Sequence, residues 1–449
     1  MEFLPSDIIQ EIVSPVPAES VLECKVVCKR WRTLIRGSNF TSMHLKRQLN
    51  HLHGGNDCND NLAAKVEPCI FFACRIVNPT VLRTLLFHGG QMSDRISIGE
   101  KYIYNQNLKR IYHPPMHEDG MYDHLVGSCN GLVCAFQYHN LVMDPIYIFN
   151  PLTREYVYLP QIVVKKEDVD PGLIEEEPDL IVEGEVDMCN RIACGFGFVR
   201  STNEYKVVRI HYLDEYCEEG NVEVYTLGSG CGWRAIGNTS YEVASMTGGV
   251  GIYANDAIYW TSYNFVVAFD LADEEFRLPP APPCLQNCRH DDIGKFVALG
   301  RHLCLYMDDE FRMEIWSLIK SSDSKETWCK EFDINYEVIV GTHKRMLQPI
   351  LLTRHGEIIL LYAESVLYCY DPKTTFLKMI SNEASNDNFQ AVKAIAHVNT
   401  FASLEAMGEN SKRYTVRPRR VGSPLDDVID ELDRVSPCEE IDTTTFRFR

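Results

Sequence analysis

Nowhere in the 449 residues do eighteen uncharged apolar residues run together, so no segment reads as a bilayer-spanning helix. The start, Met1-Glu2-Phe3-Leu4-Pro5-Ser6-Asp7, lacks the basic stretch and apolar run of a secretory leader. Positive charge is also scarce, with 44 Lys and Arg against 63 Asp and Glu and a formal net charge of −19. The deficit is uneven: residues 1–50 carry 7 basic and 5 acidic side chains, leaving 37 against 58 elsewhere. So acidic a body repels phosphate backbones and anionic headgroups, and neither nucleic acid nor membrane is expected as a partner. The 17 cysteines are scattered and odd in number, which reads as reduced thiols in a cytoplasmic and/or nuclear protein.

Complete cofactor and metal motifs are missing as well. Cys284 and Cys288 stand beside His290, Asp291 and Asp292, but no second half of a zinc site follows, and Cys189 with Cys194 is a weaker pattern still. These read as ordinary loops, and no metal is expected. Gly195-Phe196-Gly197 and Gly248-Gly249-Val250-Gly251 lack the Lys-Ser/Thr of a phosphate loop, so they read as turn glycines and no cofactor is expected.

What is present has globular proportions, with 45% hydrophobic and 24% charged residues. Residues 1–50 read as helical, 51–64 as a Gly/Asn/Asp-rich linker, 65–405 as strands and turns, and 406–449 as a polar, disordered tail. Pro5, Ser6 and Asp7 form a helix start, and Ile8, Ile9 and Ile12 supply an apolar stripe that Pro15 and Pro17 end. A second run follows Pro17. Val21, Cys24, Val27, Cys28, Trp31, Leu34 and Ile35 recur every three or four residues, one helical face closed by Gly37. The stripe is wider than a few short helices can bury among themselves, so part of it is expected to meet a partner.

The long second zone repeats a phrase: a Gly or Asn turn, an apolar strand, then an aromatic strand ending in Asn or Asp. Copies start at Asn130-Gly131, Asn255-Asp256 and Gly356, and their aromatic strands end at Asn150, Asp270 and Asp371. Related units carry Val222-Glu223-Val224-Tyr225 with Trp233, and Met313-Glu314-Ile315-Trp316 with Trp328. Aligning Tyr225, Phe269, Trp316 and Tyr370 gives separations of 44, 47 and 54 residues, around the blade period of roughly 40–50 residues in β-propellers. The expected architecture is a small all-α module followed by a large all-β propeller, with a β-sandwich as the alternative.

The string Leu4-Pro5-x-Asp7-Ile8-Ile9-x-Glu11-Ile12, with Pro17-x-x-Ser20 and Cys24-Lys25-x-Val27-Cys28-Lys29-x-Trp31-x-x-Leu34-Ile35, resembles the F-box motif over nearly its whole length. It departs at Pro15-Val16, where that family has Arg-Leu between its first helices. Downstream, four phrases follow in order: Leu125 to Cys134, Phe149 to Arg154, Gly195 to Phe198, and Asn203 to Arg209. Together they resemble the F-box-associated, kelch-like domain of land plants.

The resemblance implies a non-catalytic substrate-recognition subunit of a ubiquitin ligase. Its F-box would dock a Skp-type adaptor, and through it a cullin and a RING subunit, while the β domain holds a protein substrate. It places adaptor contacts on Leu4, Pro5, Ile8, Leu22, Val27, Cys28 and Trp31, with Trp31 as the expected centre because large aromatics dominate interfaces. A non-ligase F-box scaffold or inhibitor, and a propeller-fold enzyme, are the competing readings. Ten acidic residues between Glu167 and Asp187 read as a solvated insertion, and Lys412 to Arg420 as either a nuclear address or a charged tail. The substrate is not encoded in any readable motif.

Overall fold

Proline sets where the first helices begin. In the computed structural model Pro5 caps α1 (Ser6–Val13) and Pro17 caps α2 (Ala18–Cys24), each with the fixed φ that suits a helix start. On α1, Ile9 and Val13, four apart, turn inward. The unbroken apolar spacing from Val21 to Ile35 predicts one helical face, but the chain turns at Lys25, Val26 and Val27. Helix α3 (Lys29–Arg36) starts afresh after Cys28, whose extended backbone (φ −160°) lets Sγ accept from Trp31 N at 3.5 Å. Two adjacent β-branched valines, costly in a helix, precede a residue able to cap the next one.

Helix α4 (Ser38–His53) runs past the expected boundary at residue 50. Its inner stripe, Phe40, His44 and Gln48, is buried. The Pro15-Val16 corner, the one departure from the motif, is anchored by that stripe. His44 Nε2 lies 2.9 Å from Val16 O and Gln48 Nε2 3.5 Å from it, while Arg47 reaches Glu11 O at 2.9 Å and also pairs with the Glu11 carboxylate.

The described residues are 4–53, 69–76, 85–91, 109–111, 122–138, 146–161, 192–212, 219–243, 249–262, 265–284, 294–309, 311–320, 325–337, 347–353, 356–363, 366–382, 389–416 and 435–436. The acidic segment 167–187, residues 285–293 and the tail from 417 apart from 435–436 lie outside them.

After the helices, the described residues form six antiparallel sheets of at least four strands. The first joins β1 (Cys69–Ile76), β2 (Leu85–Gln91) and β3 (Lys109–Ile111) to the distant β24 (Phe389–His397). The second is β4 (Tyr122–Cys129), β5 (Leu132–Tyr138), β6 (Ile146–Phe149) and β7 (Glu155–Tyr158); the third is β8 (Ile192–Val199), β9 (Glu204–Tyr212), β10 (Gly220–Thr226) and β11 (Trp233–Thr239). The fourth holds β12 (Ile252–Ala254), β13 (Ala257–Ser262), β14 (Phe265–Asp270) and β15 (Glu275–Arg277). The fifth comprises β16 (Lys295–Leu299), β17 (His302–Asp309), β18 (Arg312–Lys320) and β19 (Glu326–Asn335). The sixth comprises β20 (Leu347–Leu352), β21 (Ile358–Tyr362), β22 (Val366–Asp371) and β23 (Phe376–Asn382).

The innermost strands touch in the order β4, β8, β12, β16, β20, β24 and back to β4. That closed ring makes the domain a β-propeller, and the sandwich alternative falls away. Closure is made by β24 pairing with β1, from Cys69↔His397 to Ile76↔Phe389.

The repeated phrases follow from turn chemistry. Asn130-Gly131 and Asn255-Asp256 have positive φ at both positions, the backbone a tight two-residue hairpin requires. The Asn or Asp ending each third strand then folds the next turn with its own side chain. Asn150 Oδ1 accepts from Leu152 N at 2.8 Å and Thr153 N at 3.2 Å, Asp270 Oδ1 from Ala272 N at 2.9 Å and Asp273 N at 3.1 Å, and Asp371 Oδ1 from Lys373 N at 3.0 Å. At the same offset beyond each, Arg154, Glu274 and Thr375 take the left-handed conformation that starts the fourth strand.

Gly195, Gly197 and Gly251 correct the turn-glycine expectation. Gly195 and Gly197 lie within β8 and Gly251 immediately precedes β12; a Cβ on Gly195 or Gly251 would come 2.4 Å from Ile258, and one on Gly197 2.4 Å from Tyr253. Gly195 and Gly197 let the third and fourth blades close up, and Gly251 leaves room for Ile258 and Trp260 of the fourth blade that it opens.

Between blades, Trp233 Nε1 donates to Pro160 O and Trp328 Nε1 to Pro280 O, both at 2.7 Å. Arg277 pairs with Glu326, and Lys206 reaches Glu274 and Leu271 O. The folded part does not stop at 405. Helix α5 (Leu404–Met407) and β25 (Lys412–Arg413) lie on the second blade, with β25 added to β7, and Tyr414 is buried near Tyr156. Four buried residues, Phe401, Ala402, Leu404 and Tyr414, anchor a stretch whose average polarity reads as tail. Short β26 (Thr415–Val416) pairs with β27 (Val435–Ser436).

Candidate protein-docking surface

The helical module divides its apolar side chains between a core and a solvent face. Ile9, Val13, Val21, Ile35 and Phe40 form the core, with Leu4, Leu22, Trp31 and Leu34 half-buried against it. On the outside, Ile8 is 42% exposed, Ile12 51%, Val26 77% and Val27 67%. Leaving four large apolar side chains in water within so small a module confers no stability on it. They form an exposed apolar face on the module.

The seven expected contact residues separate by position. Pro5, Ile8 and Val27 are exposed; Leu4, Leu22 and Trp31 straddle core and surface; Cys28 is half-buried with its sulfur turned to the Trp31 amide. Arg30 donates to Leu4 O at 2.6 Å and so ties the chain ahead of α1 to α3.

Ile12 and Val26 were not among the seven. The signal for Ile12 was available: Ile8 and Ile12 are four apart, as are the buried Ile9 and Val13, so one short helix carries two apolar stripes. Val26 had no such signal, because its exposure follows from the turn between α2 and α3.

Antiparallel order gives the propeller two ends. One holds the turns between first and second and between third and fourth strands; the other holds the remaining turns and the connections between blades. The helices sit on the first end, where Leu152 and Phe401 join their core. The far end is thereby directed away from them. It carries exposed Phe265, 60%, and Leu278, 52%.

Several charged groups in the propeller are paired within it. Arg209 is paired with Glu223 at 2.6 Å and lies 4.0 Å over the Trp233 ring. Burial works against ionising Glu274, but hydrogen bonds from Arg234 and Lys206 outweigh it and hold its carboxyl below the usual range. Lys393, lowered to about 8 by burial, donates to Leu125 O at 2.8 Å across the seam where the ring closes. Among the described residues, no three His, Cys, Asp or Glu side chains gather as metal donors. Cys284 packs half-buried between the fourth and fifth blades, and Cys288 and His290 lie outside the described residues. Lys412 and Arg413 of the basic cluster are in β25, with Arg413 bound to Glu155. None of the described helices is long and apolar enough to cross a membrane.

Comparison with known families agrees with both parts. The F-box domain matches residues 1–43, and the F-box associated beta propeller domain matches residues 85–404. The chain is 26% identical over 417 residues to F-box protein At3g07870 of Arabidopsis thaliana, covering 83% of this chain and 86% of that one. It is 26% identical over 368 residues to the putative F-box/kelch-repeat protein At1g12870 of the same plant, covering 78% and 76%. Among solved structures, the extracellular domain of a putative one-component system of B. thetaiotaomicron aligns over 73% of this chain and 35% of its own, at 11% identity and a TM-score of 0.32.

Proposed function

This chain belongs to the F-box associated β-propeller family, and on that premise we propose that it is the substrate-recognition subunit of a Skp-cullin-F-box ubiquitin ligase. The F-box docks a Skp-type adaptor, the adaptor links it to cullin and RING subunits, and the far end of the propeller binds a protein substrate. The chain itself is not catalytic. Its contribution is proximity, raising the effective concentration of substrate lysines near the charged ubiquitin carrier.

The observation that carries this reading is the exposed group Ile8, Ile12, Val26 and Val27 on a folded F-box whose core is already complete without them. Adaptor contact is assigned to these four, with Pro5 at their side and Leu4, Leu22 and Trp31 contributing their exposed edges. Cys28 acts through the start of α3.

The structure also selects the variant for the test. Trp31→Ala removes packing from the F-box interior, so loss of binding would not separate contact from folding. Val27→Asp changes a side chain 67% exposed and leaves the core intact. Burying its carboxylate against an apolar groove lowers adaptor affinity by about 100-fold or more. In a pull-down with recombinant adaptor, unchanged capture of Val27→Asp and of Ile8→Ser together would remove this face from the interface.

A further inference from the structure

The covalent joint between F-box and propeller runs through residues 54–68, which begin Gly54-Gly55-Asn56-Asp57 and lie outside the described residues. The noncovalent joint comes from the other end of the chain. Phe401 is 4% exposed and belongs to the same buried cluster as Ile9, Val13, Val21, Ile35 and Phe40. Its ring meets Phe40 edge-on at 6.4 Å and His44 at 5.0 Å, with Lys25 Nζ 4.8 Å above it.

The backbone around that ring belongs to the propeller. Thr400 Oγ1 donates to Asn130 O at 2.8 Å, and Asn150 Nδ2 donates to Thr400 O at 3.0 Å and Ala402 O at 2.7 Å. Further along, Leu404 N donates to Glu155 at 2.8 Å, Gly228 N donates to Glu409 at 2.7 Å, and Arg413 reaches Glu155 at 2.6 Å. One segment is therefore bolted to the second and third blades while its aromatic side chain is part of the F-box interior.

We propose that Thr400–Tyr414 is an orientation clamp, with Phe401 as a positioning residue that fixes the F-box relative to the far end of the propeller. The clamp sets that angle and the 54–68 connection does not. Its functional consequence rests on the ligase reading: a protein held at the far end sits at one distance and angle from the adaptor, which restricts the lysines that receive ubiquitin. Phe401 would govern transfer without touching adaptor or substrate.

The test is a distance distribution between labels at exposed Ser20 and Glu275, introduced as non-natural residues because 17 native cysteines forbid thiol labelling. The full-length chain should give one narrow distribution. A short Gly-Ser insertion within 54–68 should leave it narrow, Phe401→Ser should broaden it, and Phe401→Leu should restore it. Broadening in the wild type or on insertion, or a narrow distribution in Phe401→Ser, overturns the clamp. The insertion arm decides the matter even where Phe401→Ser does not fold. None of these arms requires a ligase. In a reconstituted adaptor-cullin-RING complex, Phe401→Ser should widen the set of self-ubiquitinated lysines with adaptor affinity unchanged. Absence of transfer by the wild-type complex counts against the ligase reading, whereas an unchanged lysine set overturns the positioning role.

Discussion

Acidification should loosen the F-box through His44. Its ring is fully buried, Nε2 faces the Val16 carbonyl at 2.9 Å, and Nδ1 has no hydrogen-bond partner among the described residues. The carbonyl fixes the proton on Nε2, so protonation would place a charge and an unmatched N–H at Nδ1. Burial lowers the pKa from 6.5 to about 4, against a smaller opposing effect of the Val16 hydrogen bond.

The folded pKa lies below the unfolded one, so the unfolded chain binds more protons between the two values. Stability from this group is complete above pH 6.5 and falls as pH drops toward 4. A separation of about 2.5 units corresponds to roughly 3 kcal/mol in full, of which about 2 kcal/mol is already lost at pH 5. Histidine NMR of the folded chain should give a His44 midpoint near 4. Denaturation of His44→Gln, whose amide can still donate to Val16 O, should lose about 2 kcal/mol less than wild type between pH 7.5 and 5. A midpoint near 6.5, or equal losses in the two proteins, would mean that His44 is not the group that acid titrates in the F-box. His397, also lowered to about 4 by burial, contributes equally to both proteins and cancels.

Four further substitutions probe the propeller. Gly251→Ala should destabilise by about 1–3 kcal/mol in urea denaturation, because its Cβ would meet Ile258 and Trp260; Gly230→Ala, with nothing within 4 Å but a φ of +70°, should cost only about 1 kcal/mol. Asn150→Asp removes the two donors that hold Thr400 O and Ala402 O and should cost about 2–4 kcal/mol. Asp270→Asn, which keeps the oxygen accepting from Ala272 and Asp273, should change stability by less than about 1 kcal/mol on the same measurement.

Legibility in the sequence followed the range of the interaction. Tyr225, Phe269, Trp316 and Tyr370 all fall in third strands, in β10, β14, β18 and β22, because the turns flanking those strands are built by nearby Asn, Asp and Gly. The first blade gave no such signal, since its sheet is completed by β24 from the other end of the chain. Gly195 looked like a turn because what it accommodates, Ile258 and Trp260, sits in another blade, and Gly251 because the same two side chains lie on β13, the strand paired beside β12. The break after α2 was hidden because the apolar spacing continues through it. In the F-box, an excess of apolar side chains was readable from the width of the stripe, but not which residues face out: Trp31 divides itself between core and edge, and Phe401 fills the interior from the far end of the sequence.

Whether the folded chain enters a ligase is decided by its assembly with purified subunits. Full-length protein mixed with a recombinant Skp-type adaptor and a cullin N-terminal domain should elute from size exclusion as one complex containing all three, and Val27→Asp should elute alone. Wild-type protein eluting apart from the adaptor would contradict the central claim; adaptor without cullin would replace the ligase subunit with an F-box scaffold.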